Sequence, residues 1–313
     1  MEGYESQDII VSVLVLTYNH KNYISKALEG ILAQVTNFDV EILVGDDAST
    51  DGTSDVVRQY AQRNPQKIFP FIRVHNQGAT KNLRDLLERA RGIYINGCEG
   101  DDYWTDPHKL QKQVDYMVQH PQCSGCVHAF TIVDEHDVPL RNQYLRWICN
   151  KRIYSLRDFK GLFLPSHPVT FLHKNIFKDA PEACELIERA HPQVADRTIA
   201  MLVAAEGEIH RLNDNMACYR KVLGKDKGNV TSREFAFKAD SKLTEYRMND
   251  ILEAYMRKEK GVCVNFNWFR RDLLIRAGAK AVLRPSGENL RCFCEILKEW
   301  SRTKCSSLNE VCK

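Results

Sequence analysis

Residues Ile9–Leu16 read Ile-Ile-Val-Ser-Val-Leu-Val-Leu, a nearly unbroken apolar run rich in β-branched side chains. A strand with one wet face alternates apolar and polar residues. This one does not, so both of its faces must be covered. That calls for a parallel sheet with helices on its two sides, and the following residues supply one. Thr17-Tyr-Asn-His20 ends the run, and Asn22 stands where it can cap a helix carrying Ile24, Ala27, Leu28, Ile31 and Leu32 at helical spacing. Val40–Val44 reads as a second strand, followed by a helix from Thr53 or Ser54 to about Arg63. Ile68–Val74 reads as a third strand, and Asn76-Gln-Gly78 turns into a helix over 79–91. Gly92–Ile95 is the fourth strand, and a helix follows Asp106 with Pro107 in its first turn. The β-α-β-α-β-α-β order predicts right-handed crossovers and an open, mostly parallel α/β sheet with flanking helices. Such a sheet holds its ligand beyond the carboxyl ends of the strands.

Two acidic clusters fall at those ends. Asp46-Asp47-Ala-Ser-Thr-Asp51-Gly52 follows strand two, and Glu99-Gly100-Asp101-Asp102-Tyr-Trp104 follows strand four. Counted from Asp47, the first begins like a calcium loop. Its twelfth position is Arg58, where a bidentate Glu is required, so an EF-hand is excluded. An Asx-turn with a helix cap explains part of this cluster. A strand-end carboxylate that accepts ligand N–H groups, such as those of a pyrimidine edge, explains the rest. In the second cluster three carboxylates crowd into four residues and repel one another. A hard divalent cation, Mg²⁺ or Mn²⁺, relieves that repulsion and also holds phosphates. A solvated acidic turn is the plain alternative. The placement after a buried strand, opposite a second acid pair, favours a site.

The middle of the chain is mixed. Ser124–Val133 reads as a strand, Ser166–Leu172 as a loop entering a strand, and Val194–Ala205 as a helix with Asp196 in its first turn. Glu208–Leu212 and Met216–Arg220 read as two short strands, and Lys221–Thr231 as a Gly/Lys-rich loop. Glu182, Glu185 and Glu188 look like a solvated helical face. Beyond Ser232 the pattern turns helical, and residues 266–280 interleave aromatic, aliphatic and basic side chains.

Composition limits the function classes. Apolar residues make up 43% and charged residues 27% of the 313. That balance excludes a disordered chain and a small disulfide-stapled one. The 11 cysteines are scattered and odd in number, which points to a reducing compartment. Cys123-Ser-Gly-Cys126 lacks a second pair at zinc-ribbon spacing and reads as buried or incidental thiols. A net charge of +3 excludes a generic nucleic-acid binder, and no nucleic-acid partner is expected. The charge is uneven. Residues 1–231 carry 27 Lys and Arg against 30 Asp and Glu, whereas residues 232–313 carry 17 against 11.

Val11-Ser-Val-Leu-Val-Leu-Thr-Tyr-Asn19, Glu41-Ile-Leu-Val-Gly-Asp-Asp-Ala-Ser-Thr-Asp-Gly-Thr53, Asn76-Gln-Gly78 and Glu99-Gly-Asp-Asp-Tyr-Trp104 occur in this order. Each motif alone is weak; the four together closely resemble the family 2 glycosyltransferases. The resemblance is strong over about residues 8–120 and extends to about 220. It implies a GT-A fold, a Rossmann-like open sheet, over residues 1–222, followed by a helical C-terminal extension over 223–313. Within the first part, 1–106 would be the nucleotide-binding half and 107–222 the acceptor half. The implied activity is inverting transfer of a sugar from a nucleotide-diphosphate sugar, most often a UDP-sugar, to an acceptor hydroxyl.

Carried over by position, Thr17 and Tyr18 would lie at the base, and Asp47 would bind the uracil edge with Asp46 supporting its loop. Asn76 and Gly78 would complete the donor site, Asp101 would contact ribose or metal, and Asp102 would be the direct ligand of Mn²⁺ or Mg²⁺. The family's base is an Asp opening a helix of the second half, which Asp196 matches; a dipole-stabilised helix-start acid is its bland reading. Met216-Ala-Cys-Tyr219-Arg220 resembles a closing Tyr-Arg element, but Val222 stands where members often carry His. Arg220, Lys221, Lys225 or Lys227 could meet the diphosphate instead. His167 falls where members form the acceptor wall, and Trp104 could stack on a sugar or pack in the core.

The acceptor implied is a glycan or lipid-linked oligosaccharide in surface polysaccharide synthesis. The basic tail reads as a helical lid or dimer surface, or as a peripheral membrane contact. The opening residues MEGYESQDII show no signal-peptide pattern, and no run approaches the about 20 apolar residues of a membrane span, so a cytoplasmic protein, peripheral at the inner membrane face, is expected. Two rivals remain. A nucleotidyltransferase would carry a Gly-rich basic loop after strand one, where this chain has Thr-Tyr-Asn-His-Lys-Asn. A non-catalytic sugar-nucleotide-binding relative is disfavoured by Asp101-Asp102 and kept open by Val222.

Overall fold

The computed structural model describes residues 9–141, 145, 147–222 and 241–311, with the side chains of the last segment described to 302. The chain divides into two compact units, Met1–Phe159 with Phe163–Leu223, and Lys160–Leu162 with Gly224–Lys313.

The first unit is built on one sheet. Strands β1 (Ile9–Thr17), β2 (Asp39–Asp46), β3 (Ile68–Ile72) and β4 (Tyr94–Glu99) are parallel, in the order β3-β2-β1-β4. Helices α1 (Ile24–Leu32), α2 (Thr53–Arg63) and α3 (Ala79–Arg89) make the crossovers. Val11, Val13 and Val15 of β1 are fully buried, as its unbroken apolar run requires. Each such side chain taken from water stabilises the fold by roughly 1.5–3 kcal/mol. The core they join includes Ile24, Leu28 and Ile31 of α1.

The sheet continues in mixed sense past β4. It adds β8 (Leu172–Lys174), β6 (Cys123–Val133), β9 (Glu208–Arg220) and β5 (Tyr103–Trp104), and β7 (Ile153–Tyr154) also pairs with β9. β8 is antiparallel to both neighbours, whereas β6 and β9 run parallel. Helices α4 (Lys109–Gln119), α5 (Leu156–Phe159), α6 (Pro181–Ala190) and α7 (Asp196–Glu206) complete the unit, with a 3-10 turn over Pro168–Thr170.

Three local expectations change. Asn22 does not cap α1; Tyr23 holds that position and makes no side-chain cap bond. Pro107 lies outside α4, whose N-cap is His108, and its carbonyl instead accepts from Val35 N–H at 2.8 Å. The two short strands expected over 208–220 are one strand, because register shifts against β6 near Ala129 absorb the polar stretch between them.

The second unit holds helices α8 (Ser241–Lys260), α9 (Asn267–Leu283) and α10 (Gly287–Val311). Tyr246, Phe269, Leu273, Ala277, Cys292 and Ile296 form its core. Arg270, 1% exposed, pins α9 to α8 through Glu253 at 2.8 Å and Asp250 at 2.5 Å.

Candidate active site

The site begins at the carboxyl end of β1. The carbonyl of Leu16 accepts from Gly100 N–H at 2.8 Å, and the next carbonyl, Thr17, accepts from Asp47 N–H at 3.0 Å. Two acidic loops distant in sequence thus hang from consecutive peptide groups of one strand. Gly100 is required there. A Cβ on it would lie 2.6 Å from Thr17 Oγ1 and 2.9 Å from His20 Nδ1.

At the first corner Asp46 is fully buried. Its Oδ1 accepts from Ser49 N–H at 3.1 Å and Ser49 Oγ at 2.5 Å, and its Oδ2 accepts from Ser54 Oγ. Asp47 turns the other way. Its Oδ1 accepts from Gln77 N–H at 2.7 Å and its Oδ2 from Gly78 N–H at 2.9 Å, while Asn76 Nδ2 donates to its carbonyl at 3.1 Å. Gly78 makes this turn at φ +93°, which a side chain would strain. A carboxylate has about four acceptor sites, so Asp47 keeps capacity for a ligand's N–H. Tyr18 is exposed, and a cleft of about 430 Å³ nearby in the β2 loop is bordered by Ala48, Ser49, Ser54, Arg58, Arg73 and Val74.

At the second corner Asp102 is buried. Its Oδ1 accepts from Arg220 N–H at 2.8 Å. Its Oδ2 is buried, has no hydrogen-bond partner among the described residues, and lies 3.6 Å from His167 Nδ1. Burial, and then the charges of Asp101 and Glu99, push the Asp102 carboxyl well above the usual range. Glu99 is pushed up to about 8, first by loss of hydration and then by Asp101 and Asp196. Asp196 opens α7, accepts from Arg197 N–H at 2.9 Å, and is itself raised by burial. Tyr219 feels Asp102, Glu99, Asp101 and Asp196 together. These four carboxylates therefore share one field, although α7 and the acidic turn lie far apart in the chain.

His167 closes this corner. It caps the 168–170 turn, and its ring lies 4.0 Å from that of Tyr219. Burial pulls its imidazolium down to about 3, so it faces Asp102 as a neutral ring rather than as half of an ion pair.

Two of the side chains offered as ligand contacts are buried in the fold. Trp104 is 4% exposed. Its indole N–H donates to Val169 O at 3.2 Å and Lys109 Nζ lies 4.0 Å from the ring centroid, which is the core-packing reading of this residue. Arg220 is 1% exposed. Its guanidinium donates to Asp101 O at 2.9 Å, Asp134 O at 2.9 Å and Asp137 Oδ1 at 2.7 Å, which makes it a strut under the acidic turn. Lys221 donates its N–H to Val133 O at 2.8 Å, and Lys225 and Lys227 lie outside the described residues. The cysteines of Cys123-Ser-Gly-Cys126 are free, and burial pushes their thiols up to about 11 and about 12.

Sequence reasoning missed Asp137, Tyr23 and the buried pair Lys109–Gln113. Asp137 lies in an acidic stretch after β6, a signal of the same kind as those read after β2 and β4. Lys109 Nζ donates to Gln113 Oε1 at 2.8 Å, and Gln113 Nε2 donates to Thr170 O and Cys126 O, both at 2.9 Å. Two polar residues one helical turn apart look solvent-facing in a sequence.

Among the described residues no set of three or more His, Cys, Asp or Glu is arranged to hold a metal ion. The donor chemistry of the acidic turn nonetheless fits a hard cation. Asp102 Oδ2 is a buried carboxylate oxygen without a hydrogen bond, crowded by like charges.

This arrangement has known relatives. The family model for glycosyl transferase family 2 matches residues 12–180, more than half of the chain. The chain belongs to that family. An uncharacterized protein of Mycobacterium tuberculosis is 36% identical over 213 residues, which are 67% of this chain and 58% of the relative. The chain therefore spans less than two thirds of that relative's length. The Escherichia coli UDP-Glc:alpha-D-GlcNAc-diphosphoundecaprenol beta-1,3-glucosyltransferase WfaP is 32% identical over 108 residues, 34% of this chain and 41% of that one. Among solved structures, S. aureus TarS 1-349 in complex with UDP-GlcNAc superposes with a TM-score of 0.65 at 17% identity, covering 93% of this chain and 80% of that one. The fold is the expected GT-A fold.

Proposed function

We propose that this protein is an inverting glycosyltransferase that moves a sugar from a UDP-sugar to a hydroxyl of a glycan or lipid-linked acceptor in surface polysaccharide synthesis. The observation that carries the reading is the pair of acidic corners on the consecutive carbonyls of Leu16 and Thr17. One corner presents Asp47, Asn76, Gly78, Thr17 and Tyr18 to a nucleoside. The other presents Asp101 and Asp102 to a diphosphate, with Asp196 in the same electrostatic cluster. The relative named for UDP-Glc and a diphosphoundecaprenol-linked sugar supports the donor class and the acceptor class. A lipid-linked acceptor is met at a membrane surface, so the proposal includes a peripheral contact at the cytoplasmic face. No helix among the described residues is long and apolar enough to cross a membrane.

In this mechanism the acceptor oxygen attacks the anomeric carbon from the face opposite the leaving group. The new C–O bond forms as the bond to the diphosphate oxygen breaks, and that oxygen leaves with the bonding pair. The hydroxyl proton passes to the Asp196 carboxylate, and the anomeric configuration inverts. His167, neutral and packed on Tyr219, lines the acceptor side. Asp102 and Asp101 would hold Mn²⁺ or Mg²⁺, which when bound offsets negative charge on the leaving diphosphate.

The test is a panel of nucleotide-sugars scored by thermal shift with Mn²⁺, followed by a transfer assay with the donor that binds. A UDP-sugar should raise the melting temperature and be consumed when acceptor is added. If no nucleotide-sugar raises it, the reading fails.

A further inference from the structure

Helix α9 turns one long face to solvent. Trp268 is 53% exposed, Ile275 60%, and Val282 and Leu283 79% each. Residues 268, 275 and 282 recur every seven positions, so they drift by only about 40° and form a stripe roughly 20 Å long. Arg271 and Arg276, both exposed, lie about 40° to one side and about 100° to the other of the stripe's centre, and exposed Arg284 follows the helix end. The opposite face, with Phe269, Leu273, Ala277 and Ala281, is the buried one.

The composition of the exposed face selects its partner. A stripe of Trp and aliphatic residues edged by guanidinium groups suits a lipid headgroup layer. There the apolar side chains sink about 5–10 Å and the arginines stay with the phosphates. A second copy of the chain suits it poorly. Apart from the buried Arg270, the helix carries Arg271, Arg276 and Lys280 against one acid, Asp272, which is held by Arg276 at 2.6 Å. A twofold contact would set this excess of positive charge against itself.

We propose that this face of α9 docks on an anionic lipid bilayer. The inference rests on the membrane contact proposed above and names the surface that makes it.

The test is co-sedimentation of the full chain with phosphatidylglycerol–phosphatidylcholine vesicles and with phosphatidylcholine vesicles, at low and high salt. Binding should favour the anionic vesicles by about tenfold or more and fall with salt. A Trp268→Ser, Ile275→Ser, Val282→Ser variant should lose it while keeping its circular dichroism, since these side chains are exposed. Arg271→Glu with Arg284→Glu should lose it with the apolar stripe intact. Binding that persists in both variants overturns the α9 assignment and leaves the membrane contact to another surface. Absence of binding to either vesicle removes both. A dimer seen by light scattering that the serine variant splits gives the face to a second copy and also overturns the inference.

Discussion

Arg220 holds the Asp102 carboxylate with its backbone and the peptide just before Asp102 with its side chain. The Arg220 backbone N–H donates to Asp102 Oδ1 at 2.8 Å, while the Arg220 side chain reaches back to the carbonyl of Asp101 at 2.9 Å. The last residue of β9 thus sets the height of the acidic turn after β4. The guanidinium also lies 4.5 Å from the Tyr23 ring centroid and bonds Asp137, so the strut is anchored on three sides.

Arg220→Met should therefore loosen the turn without touching the proposed ligand directly. It strands the carbonyls of Asp101 and Asp134, and the expected loss is about 1.5–3 kcal/mol. Urea denaturation reads this as a lower midpoint at unchanged slope. An unchanged midpoint would show that the cage contributes nothing.

Asp102→Asn keeps an oxygen for the Arg220 N–H and removes the charge. Calorimetry with UDP should show Mn²⁺-enhanced binding in the wild type and lose that enhancement in the variant. A tenfold loss corresponds to about 1.4 kcal/mol. Enhancement retained in the variant would move the cation elsewhere.

Asp196→Asn should separate binding from chemistry. Donor affinity should stay within twofold, while kcat should fall by about 10²–10⁴, the span a positioned base supplies. Full turnover would remove Asp196 as the base.

His128 predicts an acid-sensitive core. It is fully buried, its Nδ1–H donates to Ala129 O at 2.7 Å, and its Nε2 has no hydrogen-bond partner among the described residues. Burial, and then the charge of Lys109, pull its imidazolium from 6.5 down to about 3. Between those values the unfolded chain binds the proton and the folded chain does not, so stability falls as pH falls. This one group should cost about 2 kcal/mol between pH 6.5 and pH 4.5. His128→Leu should flatten that part of the urea-midpoint profile. An equally steep profile in the variant would assign the loss to other groups.

The parallel half of the sheet was legible because a strand buried on both faces advertises itself. The run before Thr17 can hardly do anything else. The acidic loops were legible for the same reason, since they begin where the apolar runs stop. Trp104, Lys109 and Arg220 were not. Whether a long polar or aromatic side chain lies in water or in the core depends on partners that only the fold brings together. Gln113 and Asp137 are such partners, and neither spacing nor composition names them. Asn22 failed as a cap because the Tyr23 and Ile24 N–H groups are taken by the His20 carbonyl at 2.9 Å each. The joining of Asp196 to Glu99 needed coordinates as well, since no local pattern couples the start of α7 to the end of β4.

The adjacency of Leu16 and Thr17 acts as a ruler. Neighbouring Cα atoms are separated by about 3.8 Å through covalent bonds that neither temperature nor repacking alters. Under the proposed function, the gap between the corner assigned to the nucleoside and the corner assigned to the diphosphate is therefore gauged by backbone chemistry. On the same proposal, segments assigned to the acceptor side, such as the 168–170 turn, can diversify while this gauge stays constant. One scaffold can then serve many recipients with a single donor grip.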